Sequence, residues 1–150
     1  MPLYNINSEA NISLAANTAK TVATVTAPST RKEQIVDIAI GFDSTTSTDG
    51  AVLVQVVRYA SAGTSTSRTP VALDPDDPAA LCTGQVDYTV EPGTPTIVWE
   101  TRATPVGGTI VLPFADGRTP KADTSGIIGV RLTAPQAQSN VRVSLGIREE

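Results

Sequence analysis

Histidine is absent from this 150-residue chain. That absence removes Ser-His-Asp and Cys-His arrangements, histidine-based zinc sites and the metal-binding form of the cupin barrel. Cysteine occurs once, so Cys82 has no internal disulfide partner and no CxxC motif, and it reads as a small buried hydrophobe. Aromatic residues number only six, too few to line the cleft in which paired carboxylates hydrolyse glycosides once the core has taken its share. No catalytic, cofactor-binding or metal-ligating residue is therefore assigned, and no enzymatic role is expected. No apolar run approaches the roughly eighteen residues that would span a bilayer, and the start of the chain lacks a basic head followed by an apolar segment. Synthesis in a cytoplasm and no membrane association are the resulting expectations. Eleven basic residues stand against fifteen acidic ones, for a net charge of −4, and they are scattered rather than striped. Nucleic-acid binding is not expected.

What fills the space is β-and-turn composition. Charged residues make up 17% of the chain and apolar residues 40%, with Thr, Ser, Ala, Gly and Pro in place of the missing charges. A chain of this length forms one domain, residues 1–150, able to bury a core without staples. "QIVDIAIGFD", Gln34 to Asp43, alternates Val36, Ile38, Ile40 and Phe42 against Asp37, Ala39 and Gly41, which predicts a half-buried strand. "AVLVQVVRYA", Ala51 to Ala60, is apolar on both faces and predicts a central strand or one packed against a neighbouring subunit. The Asp49-Gly50 pair between them suggests a hairpin. "QVDYTV" alternates Val86, Tyr88 and Val90, "TIVWET" gives Ile97 and Trp99, and "GTIVLPF" gives Ile110, Leu112 and Phe114. "IIGVRLTAP" and "NVRVSLGIRE" close the series, and "ISLA" and "KTVATVTAP" open it. About eight strands at short, even spacing predict an all-β, antiparallel β-sandwich of jelly-roll type. The first thirteen residues are either an ordinary first strand or an extended arm that orders on a partner.

Two stretches invite a functional reading. "VALDPDDPAAL" places Asp74, Asp76 and Asp77 within four positions. Calcium loops need more oxygen ligands and usually a glycine at the bend, whereas this stretch has two prolines, so a turn capping a brief helix at "PAAL" is the expected structure rather than a cation site. Trp99 has the flat face that sugar-binding sandwiches use for stacking, but Ile97 shares its side of the strand and assigns it to the core. Tyr4 and Tyr59 are the better candidates for exposed or inter-subunit contact.

The runs "LAANTAKTVATVTAPSTRKEQIVDIAIGFD", "LVQVVRYASAGTSTSRTPVALDPDDPAAL" and "GVRLTAPQAQSNVRVSLGIREE" resemble a group of small β-proteins found among bacteriophage structural genes, akin to jelly-roll capsid decoration (cement) proteins and head-fibre modules. The likeness covers most of the chain but consists of strand-and-turn phrases, and no individual functional residue follows from it. It implies a homo-oligomer, a trimer or another ring of jelly rolls, on the outside of the virion, bound to the major capsid protein and bracing the shell. The doubly apolar Ala51–Ala60 segment agrees with a subunit contact. A carbohydrate- or receptor-binding module of adhesin or lectin type is the alternative.

Overall fold

The computed structural model describes residues 1–150 and contains thirteen strands and no helix. They are β1 (Leu3–Asn7), β2 (Ile12–Leu14), β3 (Ala19–Thr26), β4 (Glu33–Gly41), β5 (Val52–Tyr59), β6 (Thr64–Arg68), β7 (Val71–Ala72), β8 (Thr83–Val90), β9 (Thr96–Ala103), β10 (Thr109–Pro113), β11 (Lys121–Ala122), β12 (Ile127–Thr133) and β13 (Gln138–Glu149). One sheet runs β10-β4-β13-β1-β7, with β11 on β4 and β2 on β13; the other runs β6-β8-β3-β12-β5-β9. Every strand pair is antiparallel.

The pairings are nested. β1 pairs with β13, β3 with β12, β4 with β10 and β5 with β9, so these eight strands form one long hairpin rolled up, with its bend between β5 and β9. This is the strand order of a jelly roll. The β6–β8 segment is an insertion at the bend, and it folds back to pair with β3. The two inner faces share one core of 27 buried residues, built from the alternating Val, Ile and Leu of β3, β4, β5, β12 and β13 with Tyr4 and Ile6 from β1.

Bulges correct the simple alternation at three places. In β4 the register slips between Gly146 and Ile147 on the partner strand, which leaves Val36 unopposed and turns Ile35 into the core in its stead. In β8 Asp87 adopts a φ of 54°, so Val86 points into the core while Tyr88 leaves the core cluster and shares a hydrogen bond with Thr24. In β9 the slip lies at Val98, opposite Val56 and Val57, and Ile97 ends up 48% exposed.

Two other expectations change and two open alternatives are decided. Asp49-Gly50 does not close a hairpin, because β4 and β5 belong to different sheets; the loop crosses between them, held by Ser44 Oγ and Gln138 Nε2, which donate to Asp49 Oδ2 at 2.5 and 2.9 Å. The segment of the proposed arm forms β1, seated between β13 and β7 with Tyr4 and Ile6 fully buried. β5 is central, between β12 and β9, and the residues of its second face, Gln55, Val57 and Tyr59, are buried within this one chain. That strand consequently offers no surface to a second subunit. Tyr4 and Tyr59 are both interior, not exposed. Tyr4 Oη donates to Pro78 O at 3.0 Å, and Tyr59 Oη shares a 2.6 Å hydrogen bond with Thr21 Oγ1, which in turn donates to Glu91 Oε2.

Candidate functional site

Asp74, Asp76 and Asp77 form a turn, and no helix follows at Pro78–Leu81. Asp74 Oδ1 accepts the Asp76 amide at 3.0 Å and Asp74 O accepts the Asp77 amide at 3.1 Å, so the first carboxylate is occupied in holding the loop. With no regular helix to initiate, the capping role has no object. None of the three carboxylates forms an ion pair. The turn follows β7, an edge strand of its sheet, and Leu73, 64% exposed, lies beside it. Met1, Leu3, Leu73 and two of the acidic residues, Asp74 and Asp77, line one shallow depression there.

The opposite flank has the inverse character. β9 is the free edge of one sheet and β10 that of the other, and both line a groove of about 700 Å³. Trp99 packs edge-on against Phe114, ring centroids 5.2 Å apart, and both lie half-buried against the core, so the core assignment of Trp99 holds for one side of its ring only. Ile97 and Val98 beside it are exposed, as is Val111 of β10 at 62%. The charged groups lining the groove are Arg58, Arg118 and Lys121. Arg58 Nε donates to Lys121 O at 2.7 Å, and Lys121 Nζ pairs with Glu150 at 3.0 Å, which leaves Arg58 and Arg118 without an ion pair. This cationic lining was hidden in the sequence because the three residues come from the end of β5, the β10–β11 loop and β11.

A third constellation is interior. Glu33, Cys82 and Glu149 are all buried, and one carboxylate oxygen of each glutamate and the Cys82 sulfur lie within 4.8 Å of one another. Glu149 Oε1 accepts the amides of Leu81 at 2.5 Å and Cys82 at 3.1 Å, and its Oε2 accepts Arg31 Nη1 at 3.2 Å. Both oxygens of Glu33 lack any partner, an arrangement costing about 1–3 kcal/mol or more for a buried polar group. Burial, then the Glu149 charge, pushes the Glu33 carboxyl up to about 8, with Arg31 opposing. Burial and the two neighbouring glutamates also raise the Cys82 thiol. Cys82 is thus the small buried residue expected, but in polar company that its sequence neighbourhood did not signal.

Comparison of the chain with family models, with curated proteins and with solved structures gives no match in any of the three.

Proposed function

We propose that this chain is a structural protein of a bacteriophage virion, a decoration protein that assembles into a ring, most simply a trimer, on the outer face of the capsid and braces the major capsid protein. The supporting observation is the complementarity of the two flanks of the sandwich. The β9–β10 flank presents Ile97, Val98, Trp99 and Val111 with Arg58 and Arg118, and the β7 flank presents Met1, Leu73 and the unpaired Asp74, Asp76 and Asp77. A patch that complements a different patch on the same chain makes heterologous, head-to-tail contacts, which give a ring when the rotation between copies closes and a filament when it does not. Both flanks end in free strand edges, whose unpaired backbone groups add hydrogen bonds to such a contact. The location on a capsid rests on the resemblance of the strand-and-turn phrases to phage decoration proteins.

The test is binding to capsids assembled from the major capsid protein of the same genome. The reading expects saturable binding at a fixed ratio and a higher capsid melting temperature. A second reading, a carbohydrate-binding module, is favoured by one specific observation: the Trp99–Phe114 pair lies in a groove with three cationic side chains, which suits an acidic glycan. Binding to acidic glycans on an array, with capsids left unbound, would replace the first reading by the second.

A further inference from the structure

Glu33 begins β4 and Glu149 lies near the end of β13, directly opposite in register. Cys82, beside β8, completes a set of three donor side chains, each at most 4% exposed. Glu149 has three of its four lone-pair sites taken by two amides and a guanidinium, which leaves one on Oε2. Glu33 has none taken: its two oxygens are sealed from solvent with no donor to meet them, and one of them lies in the cluster. A proton would satisfy this carboxyl only in part, because its other oxygen would still lack a donor. Something else in the site is needed to hold a charge there.

We propose that Glu33, Glu149 and Cys82 bind one divalent transition-metal ion of the zinc type. Carboxylate oxygens sit about 2.0–2.2 Å and thiolate sulfur about 2.3 Å from such an ion, so tetrahedral donors stand roughly 3.3–3.8 Å apart. The three side chains reach that spacing from 4.8 Å by shifts of about an ångström or less. The sulfur selects a borderline-soft ion, and hard Ca²⁺ and Mg²⁺, which want six or more oxygens, find only two carboxylates. Charge also balances, since two carboxylates and a thiolate offset the divalent ion and the Arg31 guanidinium that already touches Glu149. Binding releases the thiol and carboxyl protons to solvent. Cys82 also lines a surface pocket of about 200 Å³ with Arg68, Pro70 and Gly84, and the proposal brings the ion, and a water for its fourth position, from that side. The inference is independent of the capsid reading.

The experiment adds Co²⁺ to the chelator-treated full chain. The expected result is a sulfur-to-cobalt charge-transfer band with the intense visible bands of four-coordinate Co²⁺, saturating at one equivalent and bleached by Zn²⁺. Zn²⁺ at about 100 times its Kd raises Tm by roughly 5–10 °C, and Ca²⁺ does not. Cys82→Ser removes the charge-transfer band, and Glu33→Gln weakens Co²⁺ binding at least about 10-fold. Absence of the band from the wild-type protein at excess Co²⁺ overturns the proposal, as does equal stabilisation by Ca²⁺ or unaltered affinity in Glu33→Gln. Should both variants fail to fold, the wild-type cobalt spectrum and the Zn²⁺ shift decide alone.

Discussion

Glu33 and Glu149 stand directly opposite each other on adjacent strands, equally buried and unequally bonded. The asymmetry has an energetic consequence for the metal-free protein. Glu149 carries three hydrogen bonds, two of them to the backbone of the segment that leads into β8, so Glu149→Met strands two buried amides and frees Arg31. Glu33→Met removes a carboxyl that bonds to nothing. Urea unfolding in chelator is expected to show a loss of about 2–4 kcal/mol for Glu149→Met and no loss, or a gain, for Glu33→Met.

Gly129 sits in the middle of β12, between β3 and β5. A Cβ there would collide with the carbonyl oxygen of Ala23 and the methyl group of Thr24, and the Ala23 carbonyl is fixed by its place in the sheet. Gly129→Ala is predicted to destabilise the fold by about 3 kcal/mol through forced strand displacement, measured as a shift in the denaturant midpoint.

Tyr59 gives the fold an alkaline limit. Burial pushes its phenol from 10.0 up to about 12; the Thr21 hydrogen bond and Arg131 oppose that shift, and Glu91 and Tyr88 add to it. The folded state therefore holds this proton more tightly than the unfolded chain. The associated stability is complete below pH 10 and is lost as pH rises through about 12. Tyr59→Phe is expected to be less stable at neutral pH, having lost its bond to Thr21, and to fall less steeply over that window than the wild-type protein when unfolding is followed against pH.

Much of this architecture was legible in the sequence. β12 and β13 announce themselves by period two, and Ile128, Val130 and Leu132, like Val141, Val143, Leu145 and Ile147, lie buried as that period requires. Local alternation is a property of one strand, whereas a bulge is a property of a pair. Val36, Tyr88 and Ile97, which alternation alone puts on the apolar face, consequently lie outside the core cluster, because the register slip belongs to the partner strand as much as to their own. A turn does form in this loop, at Thr46–Asp49 rather than at Asp49-Gly50, and which sheet receives the next strand depends on the nested long-range pairing of β5 with β9 and β12. Sites were least legible. Cys82 and Glu149 are 67 residues apart, Glu33 follows two basic residues that make it look like part of a solvated charge run, and no spacing motif links the three.

The proposed ring depends on head-to-tail contact between the two flanks, and charge reversal probes that contact. One variant carries Asp74→Lys, Asp76→Lys and Asp77→Lys; a second carries Arg58→Glu and Arg118→Glu. Each retains one intact flank. Sedimentation equilibrium is expected to show a wild-type ring, two monomeric variants, and renewed association on mixing, since the intact basic groove of one variant meets the intact acidic turn of the other and the two reversed flanks are complementary in turn. A wild-type monomer, or variants that assemble as the wild type does, would contradict the head-to-tail contact.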